Sequence, residues 1–250
     1  MGTSMARRGP TTRLWRLAKG AATRYLAPEG AVPVAAEEVI ARYVSALAES
    51  SHQQASDPLA DFRLTRKVAQ DLGVFWHQAT SQGWEAALRG WGLEDLLGQP
   101  LETLAQGLAG AWVGAGGGLE AAVARASLIT VLLSSLSGRI NGTPKPSSLP
   151  SADSLTFDPP GLVGRFLTTA FYQRLVLDLG ESLEAAAGDG NRLQGGLAGL
   201  KELIHNAGER AAGEKLVPEH WQGLAGWLWV TGVAAAMLRH FQGGVSGGGE

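Results

Sequence analysis

The chain contains no cysteine, which excludes disulfides, thiolate metal sites and thiol nucleophiles together. A cysteine-free chain suits a reducing compartment, and the cytoplasm is the expected location. Acidic residues are missing from the first 28 positions, which carry six basic side chains: Arg7, Arg8, Arg13, Arg16, Lys19 and Arg24. β-branched residues are sparse beside Ala, Leu, Gly, Glu and Arg, which points to helices. No alternating strand pattern of useful length and no fixed-period repeat is present. A continuous apolar signal core is also lacking, because Arg13, Arg16, Lys19 and Arg24 interrupt every candidate. The segment shares the basic, acid-free composition of an organellar transit peptide, while the myristoylation motif fails at Ala6. The uncharged run from Gln222 to Leu238 is 17 residues long and contains Gly223, Gly226 and Gly232. It is at the short limit for a membrane span and reads as a buried helix, so no membrane partner is expected.

What is present divides sharply by charge. The 222 residues after position 28 hold 15 basic and 23 acidic side chains, so a net charge of −2 is a +6 leader on a −8 body. Hydrophobic residues at 45% and charged residues at 18% argue against disorder and permit one large domain or two modest ones.

Helical periodicity and its breakers set the expected order. Thr11 or Thr12 caps a first helix to about Leu26, with Leu14, Leu17, Ala18, Ala21 and Tyr25 in one stripe. Pro33 sits near the start of a second helix with Val39, Ile40, Tyr43, Val44 and Leu47 on one face. A third, from about Asp61 to Ser81, turns Leu64, Val68, Leu72, Phe75 and Trp76 inward. Short segments follow around Trp84, at 93–98 and at 100–112, then an apolar helix over 119–137. Residues 138–160 hold five prolines and read as a linker or a long loop. Helices over 161–186, 193–213 and 218–241 precede a glycine-rich end. The expected organisation is a basic arm and helix at 1–28, a helical domain at 29–137, the linker, a helical domain at 161–242 and a tail at 243–250.

No catalytic motif emerges, and the expectation is a non-enzymatic protein without cofactor or metal. The cluster Gly114-Ala115-Gly116-Gly117-Gly118 follows a helical segment rather than a strand, and no Lys-Ser or Lys-Thr comes after it. It reads as a helix–helix connection. The five histidines are scattered, with no pair at metal-ligand spacing and no nucleophile elbow. Eight tryptophans outnumber six phenylalanines. Trp76, Trp84, Trp91 and Trp112 read as core, while Trp221, Trp227 and Trp229 could form core or an interface.

The basic leader admits three readings: docking to a protein, binding nucleic-acid phosphates with Trp15 and Tyr25 stacking on bases, or an amphipathic helix lying on the body. An acidic body weakens the nucleic-acid reading. Small Gly2 implies removal of Met1 and an exposed glycine amine.

Met1-Gly2-Thr3-Ser4 followed by Gly9-Pro10 resembles the opening of QatB-like proteins, a subunit of the bacterial Qat anti-phage system. The resemblance is carried by these ten residues. It implies a largely helical body, and partners comprising an ATPase, a QueC-like enzyme and a TatD-like nuclease. It also implies Gly2 as a modification site for the QueC-like enzyme, which would attach a deazaguanine group, with Thr3 and Ser4 completing the recognised start. The expected fold is all-α, an irregular bundle of eight to ten helices or two helical subdomains. The expected function is a defence-complex subunit with Gly2 modified and the basic arm as docking element. The alternative is a nucleic-acid-binding accessory protein using that same arm.

Overall fold

The computed structural model describes residues 12–27, 34–54, 59–137 and 158–242. Among them the fold is all-α, as the composition implies. Nine helices run in order: α1 (Arg13–Tyr25), α2 (Ala36–Gln54), α3 (Arg63–Gln82), α4 (Trp84–Gly90), α5 (Leu101–Val113), α6 (Leu119–Ser137), α7 (Pro159–Ala187), α8 (Gly190–Gly213) and α9 (Gly223–Gln242). Single 3-10 turns, Ala60–Phe62 and Glu94–Leu96, precede α3 and α5. The glycine-rich tail and most of the expected linker, at 138–157, lie outside the described residues.

Local chemistry accounts for several of the helix ends. Asp158 starts α7 by accepting from the Gly161 amide at 3.2 Å, and Pro159 occupies a first-turn position that needs no amide. Gly83 ends α3 at φ 89° and lets α4 turn away at once. The last helix starts at Gly223 rather than at Pro218. The Gln70 side-chain amide donates to the carbonyls of Trp221 (3.0 Å) and Gly223 (2.7 Å), satisfying backbone that a longer helix would have used.

Two compact units share the chain, and their boundary falls inside α7, α8 and α9. The first comprises residues up to Asp61 with Arg174–Leu203 and the chain from Leu238. Its core joins α1 and α2 to the C-terminal part of α7 and the N-terminal part of α8. The second comprises Phe62–Gln173 and Ile204–Met237. There α3 packs against α4, α5 and α6. Phe75 and Trp76 on α3 meet Trp84 in edge-on contacts, with centroids 5.5 and 5.3 Å apart. Trp112 on α5 sits 5.5 Å from both Phe75 and the half-exposed Trp91. Edge-to-face rings add specificity to the apolar area they bury.

Close approaches in the second unit fall on glycines. A Cβ at Gly73 would lie 2.1 Å from the Trp221 ring, and one at Gly208 would lie 2.0 Å from Thr168 Cγ2. The stretch Leu119–Leu136 of α6 has the length and apolarity of a membrane span, yet half of it is buried. Its buried Ser127 donates to Gln173 on α7 at 2.9 Å, and the helix packs on α3 and α5 as a core helix does.

Candidate functional site

The site is built around α1. Thr12 takes the N-cap conformation (φ −64°, ψ 165°), and its hydroxyl accepts from the Trp15 amide at 3.5 Å. The same hydroxyl donates to Glu49 on α2 at 2.6 Å, so the cap also ties the start of α1 to its neighbour. Ala18, Ala21 and Ala22 favour the helix and let it lie close to α2. Arg24 in the last turn places a positive charge where the helix dipole favours one, and its Nε donates to the Gly20 carbonyl at 3.4 Å.

The helix turns a different face inward from the one its leucines suggest. Trp15, Ala18, Ala21 and Ala22 are buried, with Leu26 just beyond, whereas Leu17 is 36% exposed and Leu14 only half-buried. The buried stripe is rotated by roughly 60° from the expected one. Trp15 offers more apolar area than any leucine and inserts edge-on against Tyr43 of α2, with centroids 5.6 Å apart and planes at 75°. The far end is held as firmly. Tyr25 donates from Oη to the Gly196 carbonyl of α8 at 3.1 Å. Leu26 packs where a Gly196 Cβ would stand, 2.3 Å from its Cδ2. Burial, assisted by the charge of Glu37, raises the Tyr25 phenol above its ordinary value and keeps it a donor.

Beneath this seat lies a buried polar network. Tyr43 is fully enclosed and donates to Asp178 Oδ2 at 2.8 Å, while Arg174 Nε donates to the same oxygen at 2.8 Å. Burial first, and then the Asp178 charge, pushes the Tyr43 phenol well above its ordinary value. The pair Arg174–Asp178 lies one helical turn apart on α7 and is largely shielded from solvent, so its charge-assisted bonds are worth more than a surface pair.

The outward face of α1 carries Arg13, Arg16, Leu17, Gly20 and Arg24 within about 100° of arc, with half-buried Lys19 on its flank. The helix has no acidic residue, and no carboxylate among the described residues pairs with Arg13, Arg16, Lys19 or Arg24. Gly2, Thr3, Ser4, Arg7 and Arg8 lie outside the described residues. The aromatic rings proposed to stack on bases are engaged elsewhere: Trp15 is 3% exposed and Tyr25 is tied to α8. That corrects the stacking expectation, because an indole buried against Tyr43 presents no free face to a base.

Elsewhere among the described residues the side chains do not converge on a reaction. The glycine cluster joins α5 to α6, with Gly114 at φ 70° and its carbonyl accepting from Arg125 at 2.6 Å. Glu120 in the first turn of α6 turns its carboxylate to the Thr65 amide in the first turn of α3, so a carboxylate already serves that helix end. His77, His220 and His240 are exposed, and His205 pairs with Glu209 at 3.1 Å. Among the described residues no three His, Asp or Glu side chains could hold a metal ion. A cavity of about 350 Å³ in the second unit is lined by Asp158, Arg165, Glu209 and Lys215. Its charges balance, and the Gly161 amide that opens onto it is taken by Asp158. Trp221 and Trp229 are core, 5.0 Å apart, while half-buried Trp227 lies under the Arg66 guanidinium at 4.9 Å.

Sequence reasoning missed Glu49, Gly196 and Asp178, which hold the seat. The one local hint was the pair Gly195-Gly196 inside a helix, where glycine costs stability unless a neighbour comes close.

A family model described as Qat anti-phage system associated protein QatB matches residues 55–215. The span begins after α2, so α1 and the N-terminal residues lie outside it. No curated protein and no solved structure matches the chain.

Proposed function

The chain belongs to the QatB family and is a component of the Qat anti-phage system, and from that premise we propose that it is a non-enzymatic subunit presenting its N-terminal glycine to a modifying partner. In this reading Met1 is removed, the Gly2 amine is the acceptor, and a QueC-like enzyme supplies the deazaguanine group. An ATPase and a TatD-like nuclease complete the partner set. The acceptor role asks little of this chain. An α-amine has an ordinary pKa of about 7.7–8.0, so a useful share is the free nucleophile at neutral pH without a neighbouring base.

The observation that carries the reading is the seat of α1. Thr12, bonded to Glu49, fixes the point from which the preceding residues depart. The ten residue steps from Thr12 to Gly2 reach at most about 35 Å, so an enzyme acting on Gly2 works within that radius of a fixed anchor. The nucleic-acid alternative loses support from the buried Trp15 and the tied Tyr25. Mass spectrometry of the N-terminal peptide, from cells expressing the complete Qat system, tests the proposal. A Gly2 amine carrying an added mass is expected, and an unmodified amine overturns it.

A further inference from the structure

We propose that the outward face of α1 is a docking surface for a folded protein that presents carboxylates flanking an apolar contact. The inference rests on the reading above only in deepening it: it names the surface by which a partner holds this chain and the chemistry of that partner.

Three observations converge. Arg13, Arg16 and Arg24 are exposed on one face, with Leu17 at their edge, on a helix without a single acid. Nothing among the described residues neutralises them, although Arg42, Lys67 and Arg89 on other helices each pair with a carboxylate one turn away. Arg13 and Arg16 stand one turn apart and repel each other, and no carboxylate among the described residues offsets that cost. The complement of this cationic face is an external negative surface.

The second observation is rigidity. The Thr12–Glu49 bond at one end, the Tyr25–Gly196 bond at the other and Trp15 between them hold α1 in one place. A surface that is ordered before association loses less freedom on binding than a mobile basic arm would. Guanidinium groups spaced at one and two turns along a fixed helix suit discrete carboxylates, with which arginine forms planar two-point contacts.

The third observation separates a protein from other polyanions. Single-stranded nucleic acid is held by cations combined with free aromatic faces, and here the rings of α1 point inward. An anionic membrane would need an apolar face to insert, and that face of α1 is already packed on α2. Leu17 remains as one partly exposed apolar contact at the edge of the arginines, which fits a protein surface whose carboxylates flank an apolar patch.

The test uses the full chain co-expressed with the other subunits of its Qat system. Charge reversal by Arg13→Glu, Arg16→Glu and Arg24→Glu together leaves the buried face of α1 untouched. It is expected to lower the recovered complex at least about tenfold, whereas the matching Arg→Lys triple, which keeps the charges and gives up only the two-point contacts, lowers it less. Arg16→Lys alone places an amine in the interface. A carbodiimide coupling reagent is then expected to join it by an amide to an Asp or Glu of an identified Qat subunit, a bond that neither a nucleic-acid phosphodiester nor a lipid phosphate gives. Full complex recovery with the reversed triple overturns the proposal. So does an intact complex in which Arg16→Lys never couples, or a loss seen only on single-stranded DNA or phosphatidylserine vesicles. Gly2 is weighed in parallel. An unmodified Gly2 in a charge-sensitive complex overturns the modification reading and leaves the docking surface standing. Wild-type modification in the reversed triple overturns the docking surface alone.

Discussion

Replacing Tyr43 by Phe removes one oxygen from the most enclosed polar group beneath α1. The hydroxyl donates to a carboxylate that Arg174 also contacts, so Asp178 keeps one charge-assisted bond and loses another. Such a bond contributes about 1.5–3 kcal/mol net, and the expected loss near pH 8 is therefore about 2 kcal/mol. A second consequence depends on pH. Burial and Asp178 raise the folded-state pKa of Tyr43 well above 10, while the unfolded phenol ionises near 10. Above pH 10 the native state binds more protons than the unfolded state, so stability falls as pH rises. One pH unit past the unfolded value the loss is at most about 1.4 kcal/mol, and it is absent from the Phe variant. The gap between wild type and Tyr43→Phe should thus shrink from about 2 kcal/mol at pH 8 toward a floor of about 0.6 kcal/mol at pH 11. Urea unfolding followed by circular dichroism at both pH values measures it. A gap that stays constant, or a variant as stable as wild type at pH 8, refutes the account of Tyr43 as a neutral donor in a dry network.

Two further outcomes follow from the packing. Trp15→Ala should destabilise by about 3–5 kcal/mol and expose Arg16, Lys19 and Arg24 to trypsin, because the ring is the main apolar contact of α1 with Tyr43; unchanged cleavage at those sites would count against the seat. Gly73→Ala should destabilise by about 1–3 kcal/mol, seen as a lowered Tm, since its Cβ would fall within the Trp221 ring and the ring is fully packed. The same substitution at Gly90, whose nearest neighbour is 4.0 Å away, should be tolerated.

Short-range chemistry was sufficient for much of the architecture. Helices announced themselves because the 3.6-residue period and the breakers Gly83, Gly98, Gly114 and Pro100 act within a few residues of where they stand. The glycine cluster before α6 was readable as a connection for the same reason: no strand precedes it and Glu120 follows it. The charge split between the first 28 residues and the rest is a matter of composition alone.

Tertiary structure decided which side of each helix faces inward and what holds it there. On α1 the leucines and the tryptophan compete for the same neighbour, and only the presence of Tyr43 on α2 resolves the rotation in favour of Trp15. Tyr25 and Gly196 are 171 residues apart, and Tyr43 and Asp178 are 135 apart. No local pattern encodes such pairs, because a phenol and its acceptor carry no mark of each other until the chain brings them within 3 Å. Likewise Trp221 and Trp229 became core and Trp227 a partner of Arg66 through the surface left by α3, which lies far away in the chain. Periodicity and composition are properties of neighbours in sequence and can be read there; rotation, seating and the outward basic face of α1 are properties of neighbours in space.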